Sequence, residues 1–475
     1  MKLIRTGSQC QLEAIRDREG VFALLSKHFS YKVEGAKFSP QFRAHVWDGK
    51  IKLVHKARGE KLIFPGGLAD EVLEVLRTRW EEAVEVEDLR PTHPPLRPLR
   101  WAGPPLRDYQ EEAVAKAVEA GAGVLKLPIR SGKTITAARI IWTLSQRALF
   151  VVTSDLLLRQ ATEVFRRVLP DASVTVVGAG EWDSSGDLVV ATVQTLQKNN
   201  KTRAFVRLAR SFGVVIFDEI HHLQGGSGDE WRDTALAIDS RSKFGLSATI
   251  DLRPTEENAA GDIWLRGICG PVLIEKSMSD LIRLGYLVPP VIRFLRYEAP
   301  EVKGKWTPAM YSEVVAQCEP RNRRIVRAAA DYAKEGRGVL IDVSRVAHAR
   351  TIYQAAMAAL PPGQVALLLG ASSASVREKT LTAFRARKVM VIVSTILGEG
   401  VDVPEIDVVI NGEGGRGKTT TIQRLRNLTP AEWKKRAIVV EMVDVHHPQL
   451  AEWTKARLKT YREEPAFRFD IEEKG

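Results

Sequence analysis

The sequence predicts an α/β fold in which two parallel-sheet domains follow each other, preceded by a small α+β domain. Short apolar runs with the character of buried strands alternate with helical patterns over residues 124–285, and the alternation begins again at residue 338. Such alternation is typical of a parallel sheet covered by helices on both faces. A proline-rich stretch, residues 91–105, precedes the first alternating region. We therefore predict three domains, at residues 1–98, 99–297 and 298–475.

The chain of 475 residues carries 70 Lys and Arg residues against 58 Asp and Glu residues, a formal net charge of +12. This excess favours a polyanionic partner, nucleic acid first, over the alternative that the charge serves only solubility. Cys10, Cys269 and Cys318 have no paired spacing that suits zinc, and we expect them to be reduced and buried. Because the sequence shows neither a signal-peptide pattern nor a run of about 18 apolar residues, we expect a cytoplasmic protein without a membrane span.

The first 90 residues predict a helix followed by a hairpin. Apolar residues recur at helical spacing over residues 12–29. The pair Asp48-Gly49 lies between two runs of alternating character, residues 44–47 and 50–54. An Asp-Gly pair in that position is a strong hairpin signal.

Basic and aromatic side chains meet on this predicted hairpin. Lys50 and Lys52, with Lys56 as a further candidate, would share one face of its second strand, and Trp47 lies close by in the sequence. Such a surface suits contacts to phosphate and stacking on bases. The alternative is a solvated strand face with Trp47 packed beneath it.

Each alternating region contains five runs that we predict to be strands. In the first region they are residues 124–127, 148–152, 188–191, 214–217 and 244–246, and in the second they are residues 339–343, 364–369, 389–393, 408–410 and 438–443. The runs are short and mostly apolar, which fits strands that are buried on both faces.

Two segments of the first region have the chemistry of a nucleotide site. A short loop with a proline leads from the first run to Gly132-Lys133-Thr134, at the expected start of a helix. Backbone N–H groups at a helix N-terminus bind phosphate, and a lysine there reaches further along it. The fourth run ends in Asp218 and Glu219, of which one can hold Mg²⁺ while the other orients a water.

These segments resemble, in order, the motifs of superfamily 2 helicases of the DExH kind. The resemblance rests on Tyr109-Gln110, Gly132-Lys133-Thr134, Asp218-Glu219-Ile220-His221, Ser247-Ala248-Thr249 and the STILGEGVDVP segment at residues 394–404. It covers residues 105–445 and implies two tandem RecA-like domains. The FSPQF…WDGKIKL stretch at the front resembles, more narrowly, the N-terminal domain of UvsW-like branched-DNA helicases of tailed phages.

The resemblance implies ATP and Mg²⁺ as cofactors and assigns residues to them. Arg107 and Gln110 would read the adenine, Ser131, Gly132 and Lys133 would bind phosphates, Thr134 and Asp218 would hold the metal, and Glu219 would orient the attacking water. Gly400 and Asp402 match positions where the family's second domain meets the nucleotide. Phosphoryl transfer of this kind depends mainly on positioning and charge stabilisation.

The resemblance also implies contacts to nucleic acid. Thr153, Thr192, Gln194 and Thr395 fall where the family touches the sugar–phosphate backbone of one strand. His221, Ser247 and Thr249 fall where the nucleotide site is coupled to these contacts. In the first domain, Lys50, Lys52 and Trp47 are the candidates for nucleic-acid contact.

The phosphate loop departs from the family pattern, with Arg130 where a small residue is usual and Leu127 where a strict phosphate loop has glycine. A strict GxxxxGKT match occurs instead at residues 412–419. We assign the phosphate site to the loop that ends in Lys133, because the family commonly has another Gly-rich loop at the later position. The alternative is a second phosphate site at Lys418.

The family's arginine motif, QxxGRxxR, is degenerate in this chain. Residues 423–429 read QRLRNLT, so the glycine is gone and the last arginine is missing or displaced. An arginine that reaches the γ-phosphate can contribute about 10³–10⁵ in rate. We predict that Arg426, or in its place Arg424, has this role. The alternative is that both arginines face solvent or DNA and that turnover is slow.

Three further features of the second region are open to more than one interpretation. We expect His446 and His447 to be solvated loop residues and not metal ligands. Trp306 is a candidate for a hinge anchor or a base wedge. A cluster of arginines either lines a nucleic-acid channel or forms a solvated helix face; its members are Arg321, Arg323, Arg324 and Arg327.

The sequence thus predicts an ATP-driven DNA helicase or translocase that acts as a monomer on branched DNA such as forks, junctions and R-loops. Single-stranded DNA, duplex DNA and RNA–DNA hybrids are further expected ligands. The preference for branches rests on the resemblance alone. The alternatives are an RNA helicase, the motor subunit of a restriction or repair complex, and a nucleotide-gated annealing or binding protein with weak hydrolysis.

Overall fold

The computed structural model describes residues 1–32, 36–80, 82–224, 228–248, 259–397, 403–415, 421, 425 and 437–472. The chain divides into two compact units, one of residues 1–127 and 132–275 and the other of residues 128–131 and 276–475. The predicted fold class is confirmed, because a small mixed sheet precedes two large sheets whose strands are almost all parallel. The division into domains at residues 98 and 297 stays a prediction.

The N-terminal domain forms a five-stranded sheet and a separate two-stranded ladder. Its elements are β1 (Lys2–Arg5), β2 (Gln9–Glu13), α1 (Arg18–His28), β3 (Ser30–Lys32), α2 (Pro40–Arg43), β4 (Lys50–Lys52), β5 (His55–Ala57), β6 (Lys61–Pro65), α3 (Ala69–Arg79) and β7 (Glu85–Asp88). The sheet has the order β5-β6-β2-β1-β7, and β3 pairs with β4 in what we call the basic ladder. Leu3, Leu12, Leu25, Phe64 and Val72 lie in the buried core beneath the sheet.

The predicted helix at residues 12–29 is correct over residues 18–28 and wrong before them. Leu12 belongs to β2, where it pairs with Leu62 and is fully buried. The helix begins at Arg18, and the Asp17 carboxylate caps it by accepting a hydrogen bond of 2.9 Å from the Gly20 N–H. The helical spacing extended too far because Leu12 fits the apolar face of a helix and of a strand equally well.

The predicted hairpin at residues 44–54 is wrong. Residues 44–47 form no strand, and β4 pairs with β3 instead. The backbone N–H groups of Val46 and Trp47 both donate to the Gln41 carbonyl, at 3.0 and 3.3 Å, so they are not available to a partner strand. This turn follows the short helix α2, which begins at Pro40, where the missing N–H is tolerated.

The proline-rich stretch contains no helix or strand and packs along the first RecA-like domain. The Leu96 and Ala102 N–H groups donate to the carbonyls of Ser145 and Val168 at 2.7 and 2.9 Å. The Trp142 indole donates to the Leu99 carbonyl at 2.7 Å. This segment, which we call the strap, is therefore held in place along its length.

The first large sheet has eight strands in the order β11-β10-β12-β9-β13-β14-β8-β15. The elements of this part are α4 (Asp108–Ala120), β8 (Gly123–Lys126), α5 (Lys133–Leu144), β9 (Ala148–Val152), α6 (Asp155–Val168), β10 (Val174–Gly178), β11 (Glu181–Trp182), β12 (Leu188–Thr192), α7 (Val193–Asn199), α8 (Arg203–Leu208), β13 (Val214–Phe217), α9 (Gly228–Ala237), β14 (Ser242–Ser247), α10 (Ala259–Cys269) and β15 (Val272–Glu275). All five predicted strands are present, and β10, β11 and β15 are additional.

The second large sheet has seven strands in the order β18-β19-β17-β20-β21-β16-β22, all parallel. Its part of the chain consists of α11 (Met278–Arg283), β16 (Val291–Leu295), a π-helical turn (Ser312–Ala316), α12 (Glu319–Lys334), β17 (Val339–Asp342), α13 (Val346–Ala359), β18 (Val365–Leu368), α14 (Ala374–Arg385), β19 (Val391–Ser394), β20 (Val408–Asn411), β21 (Ile438–Met442), α15 (Pro448–Arg462) and β22 (Arg468–Ile471). All five predicted strands are present, and β16 and β22 are additional.

No helix within the described ranges is both long enough and apolar enough to cross a membrane.

Candidate active site

Three strands of the first large sheet bring the predicted nucleotide residues to one edge. β14 lies between β8 and β13, and all three are parallel, so their carboxyl ends meet. In the register, Ser247 pairs with Lys126, and the Leu127 N–H donates to the Ser247 carbonyl at 3.0 Å. The phosphate loop, the carboxylates and Ser247 therefore belong to a single edge.

The phosphate loop ends in a glycine that no other residue could replace without strain. Gly132 has a φ of +75°, and a Cβ atom there would lie 2.5 Å from the side-chain nitrogen of Gln110. Gly132 is the N-cap of α5, so the first N–H groups of this helix point out of its N-terminus beside Lys133. Ser131 is fully buried, and Arg130 has a φ of +64°. The loop thus has a helix N-terminus and a lysine, two features that suit an anion.

Lys133 faces the carboxylate of Glu219. Its Nζ lies 3.9 Å from the Glu219 Oε1, and the two side chains are only 12% and 11% exposed. Glu219 has a φ of +49°, and its backbone N–H donates to the carboxylate of Asp218 at 3.0 Å. A lysine and two carboxylates therefore lie together at the carboxyl edge of the sheet, beside the phosphate loop.

His221 connects this carboxylate to the next strand. Its Nδ1 lies 2.9 Å from the Ser247 hydroxyl and 3.3 Å from the Glu219 Oε2. All three side chains are buried. Thr249, the third predicted coupling residue, lies outside the described residues.

Gln110 and Arg107 lie at the start of α4, next to the phosphate loop. The Arg107 N–H donates to the Gln110 side-chain oxygen at 2.9 Å, and the Arg107 guanidinium donates to the Tyr109 hydroxyl at 3.2 Å. Gln110 is 5% exposed, and its amide nitrogen faces Gly132. Of the two predicted adenine-reading residues, Gln110 thus lies against the phosphate loop, and Arg107 is bonded to Gln110.

The predicted nucleic-acid residues of the first sheet lie at the carboxyl ends of neighbouring strands. The Gln194 side chain is exposed and donates to the Thr153 carbonyl at 2.7 Å. Thr192 is only 2% exposed, and its hydroxyl lies 2.8 Å from that of Thr195. Thr195, a half-buried residue that sequence reasoning missed, therefore presents the more accessible hydroxyl of the pair. The sequence signal that could have found Thr195 is its position three residues after Thr192.

The other residues that we predicted to contact nucleic acid lie outside the first large sheet. Lys50 and Lys52 are exposed on β4, and the half-buried Trp47 donates its indole N–H to the Lys50 carbonyl at 2.7 Å, so these three residues do come together. Thr395 follows β19 and is half-buried. Ser394 before it caps the turn by accepting from the Ile396 N–H at 3.0 Å.

Several predicted residues lie outside the described part of the chain. They are Gly400, Asp402, Arg424 and Arg426, together with Lys418 and Thr419 of the strict GxxxxGKT match. The described start of that match is occupied by internal hydrogen bonds, since the Glu413 and Gly414 N–H groups donate to the Asn411 side chain at 3.0 and 3.2 Å. These two N–H groups are therefore not presented to a phosphate.

Two expectations for the second sheet need correction. His446 and His447 are buried, not solvated: His446 lies 2.8 Å from the Val314 carbonyl, and His447 caps α15 by accepting from the Gln449 N–H at 3.0 Å. Among the described residues, no group of three His, Cys, Asp or Glu side chains could hold a metal ion.

The second correction concerns Arg321, which we expected on a channel wall or on a solvated helix face. It is fully buried and has neither position. Its Nε lies 2.8 Å from the Asp444 Oδ1.

Trp306, the candidate hinge anchor or wedge, packs edge-on against Trp453 with ring centres 4.9 Å apart.

The chain is similar to known helicase families along most of its length. The family described as "DNA helicase UvsW, N-terminal" matches residues 6–79, "Type III restriction enzyme, res subunit" matches residues 104–252, and "Helicase conserved C-terminal domain" matches residues 323–426.

Curated relatives and a solved structure agree with these matches. The DNA 3'-5' translocase XPB2 of Sulfurisphaera tokodaii is 27% identical over 413 residues, covering 79% of this chain and 90% of the relative. The ATP-dependent DNA helicase uvsW of Enterobacteria phage T4 is 23% identical over 466 residues, covering 90% and 87%. S. cerevisiae Dbp5 bound to RNA and ADP BeF3 matches with a TM-score of 0.56 at 15% identity, covering 77% of this chain and 90% of that one, which shows the fold.

The three matched families and the curated relatives lead to one conclusion: the chain is a UvsW-like superfamily 2 DNA helicase, an enzyme that hydrolyses ATP.

Proposed function

We propose that this helicase unwinds or remodels branched DNA, such as forks, four-way junctions and R-loops. The observation that carries the proposal is a UvsW-type N-terminal domain whose basic ladder is fixed to the motor. Tyr31 of β3 accepts a hydrogen bond of 2.9 Å from the Trp264 indole of α10, and Arg266 of α10 pairs with Glu71. Lys32 and Lys50 are exposed on the same ladder. DNA held there would keep a fixed place relative to the first RecA-like domain.

The site residues fit a magnesium nucleotide, the proposed cofactor. Lys133 and the N-terminus of α5 would bind the phosphates, while Asp218 and the Thr134 hydroxyl would hold the metal. When bound, Mg²⁺ with ATP supplies the transferable phosphoryl group and neutralises charge on it. Arg107 and Gln110, which contact each other beside Gly132, would bind the adenine.

The chain's own residues would then change partners. Lys133, which faces Glu219 at 3.9 Å, would turn to the phosphates. Glu219 would thereby become available to orient the attacking water. His221 contacts both Glu219 and Ser247, so a shift of the carboxylate would reach the end of β14. This contact is the proposed start of the coupling to DNA.

We also propose that Arg426, or Arg424 in its place, reaches the γ-phosphate and completes the nucleotide site. The double variant Arg424→Ala, Arg426→Ala is expected to lose about 10³-fold in ATPase rate. A rate near that of the unaltered protein would reject the arginine role. Rates at background in the unaltered protein, with nucleotide binding intact, would instead favour the nucleotide-gated annealing protein.

The branched-DNA proposal is tested by ATPase stimulation of the full chain with linear duplex, single-stranded, forked, four-way and RNA–DNA hybrid substrates of equal nucleotide content. We expect forked and four-way DNA to stimulate most. Equal stimulation by linear duplex would reject the branch preference, and stimulation by single-stranded RNA alone would favour an RNA helicase. We further propose that the protein acts as a monomer in the cytosol, which sedimentation of the protein with and without forked DNA would check for the oligomeric state.

A further inference from the structure

The turn between α2 and β4 presents an apolar side chain to solvent. Val46 is 79% exposed, more than any other large apolar side chain among the described residues. Its neighbour Trp47 was expected to provide the stacking surface, but Trp47 is half-buried and its indole is bonded to the Lys50 carbonyl. Val46 is thus the apolar group that a ligand would meet first.

The backbone holds this side chain in a fixed position. The N–H groups of Val46 and Trp47 share the Gln41 carbonyl, and the His45 N–H donates to the Phe42 carbonyl at 3.1 Å. His45 has a φ of +54°, which the sharp turn requires. At the other end of the turn Gly49 has a φ of +74°, and a Cβ atom there would lie 2.9 Å from the Phe42 ring. A turn bonded at both ends does not fold back to bury Val46.

The surroundings of the turn are strongly basic. Residues 27–58 contain eight Lys and Arg residues and two acidic residues, so this short segment carries half of the chain's net charge of +12. Lys32 pairs with Lys50 across the basic ladder, and both side chains are exposed, as is Arg43 at the end of α2. Asp48 is paired with Lys52 at 2.8 Å.

An apolar tip within a basic surface restricts the kind of ligand. The lysines and the arginine suit phosphates, whose neutralisation dominates binding to nucleic acid. Valine cannot read a base edge, since it has no polar group, but an apolar side chain can pack where base stacking is interrupted. Continuous duplex DNA presents phosphates and groove edges, and its base faces are covered by neighbouring bases. A branch point exposes such a face.

We propose that Val46 is an apolar wedge that packs against the unstacked base at a DNA branch point, while Lys32, Lys50 and Arg43 bind the phosphates on either side. This inference rests on the proposed function, because it supplies the chemistry by which the branched substrate would be preferred. It assigns the preference to one side chain that sequence reasoning did not select.

The test compares Val46→Ser with Val206→Ser, a matched control. Val206 is 51% exposed on α8 and belongs to none of the sites described above. The measurement is the ratio of Kd for linear duplex to Kd for a four-way junction of equal length, by fluorescence anisotropy of the full chain without nucleotide. We expect the ratio to fall about tenfold in Val46→Ser, the equivalent of ~1.4 kcal/mol, and to stay unchanged in Val206→Ser. Val46→Leu should retain the ratio.

Two further readouts separate the wedge from the phosphate contacts. Lys32→Ala and Lys50→Ala should weaken binding to both DNA forms alike and lower the salt slope by about 1 each. A 2-aminopurine at the branch should change its fluorescence with the unaltered protein and with Val46→Leu, but not with Val46→Ser.

The outcomes distinguish the inference from the function beneath it. If the unaltered protein prefers junctions and Val46→Ser keeps the full preference, the wedge is overturned and the branched-DNA proposal stands. If the unaltered protein shows no preference for junctions, both are overturned. If Val46→Ser loses affinity for linear duplex and junction equally, the side chain supports the turn and does not act as a wedge.

Discussion

The carboxyl edges of the two parallel sheets use their charged side chains in opposite ways. At the first edge, Lys133 and Glu219 are near each other at 3.9 Å, without the short geometry of a strong ion pair. At the second edge, Arg321 and Arg457 both pair with Asp444, at 2.8 and 3.2 Å, and all three side chains are fully buried. The same architecture thus places a loosely paired lysine and carboxylate at one edge and a closely paired, fully buried set of charges at the other.

The two buried arginines of the second edge hold the loop that contains Gly412 and Gly414. The Arg321 guanidinium donates to the Gly412 carbonyl, and the Arg457 guanidinium to the Gly414 carbonyl, each at 2.6 Å. A charge whose partners are all internal cannot rearrange without leaving another charge unpaired, which is costly. Charge density at the second sheet edge therefore reflects internal packing and does not by itself indicate a ligand site.

The largest expected effect belongs to the first edge. Lys133→Ala should lower DNA-stimulated ATPase activity by about 10²–10³-fold, because the phosphates lose a charged donor. Lys116→Ala, which removes an exposed lysine paired with Glu112, should leave the rate unchanged. Lys418→Ala should also leave it unchanged. Loss of activity with Lys418→Ala and not with Lys133→Ala would reverse the comparison of the two edges.

At the second edge the expected effect is on stability. Asp444→Asn should destabilise the protein by about 3–5 kcal/mol, because two buried arginines lose their shared carboxylate. Urea unfolding followed by far-UV circular dichroism measures this. Asp331→Asn, at an exposed position paired with Lys334, is the matched control and should change stability by less than about 1 kcal/mol. Equal stability of the two variants would contradict a structural role for the buried set.

The pH dependence of stability also tests the structural role of Asp444. Burial acts to raise the pKa of Asp444, but the charges of Arg321 and Arg457 outweigh it and hold the pKa below its ordinary value. A depressed pKa contributes stability above the carboxyl's unfolded pKa of about 3.9, and that stability is lost as the pH falls through the folded pKa. The stability difference between the unaltered protein and Asp444→Asn should therefore shrink below about pH 4. A difference that grows there would show the opposite sign.

The smallest expected effect concerns the link between the two parts of the first edge. His221→Ala removes the contact between Glu219 and Ser247, and a hydrogen bond of this kind is worth about 1 kcal/mol, or roughly fivefold. We expect DNA stimulation of the ATPase to fall by about that factor while the basal rate changes less. His28→Ala, at an exposed position of α1, serves as the control. An unchanged stimulation factor in His221→Ala would remove this histidine from the coupling.

The sequence was most informative where a local pattern determines the structure. The ten predicted strands were found because runs such as Val214–Phe217 are apolar throughout, and the start of a helix at Lys133 was predicted because a short loop that ends in Gly132 follows the first run. The sequence did not reveal contacts between segments that are far apart along the chain. Arg321 was taken for a surface residue because its partner Asp444 is 123 residues away, and the hairpin was misplaced because β3 and α2 compete for the neighbouring backbone.

The strap connects the last strand of the N-terminal domain, β7, to the first RecA-like domain. It follows β7, is bonded through Leu99 to Trp142 on the helix that starts with Lys133, and is followed by Arg107, the first of the predicted adenine-reading residues. The Arg139 guanidinium of the same helix lies over the Trp101 ring of the strap, 5.0 Å from the ring centre, and is a second contact between helix and strap. Under the proposed function, a displacement of that helix during turnover would act on a segment that is hydrogen-bonded along its length and leads back to the N-terminal domain.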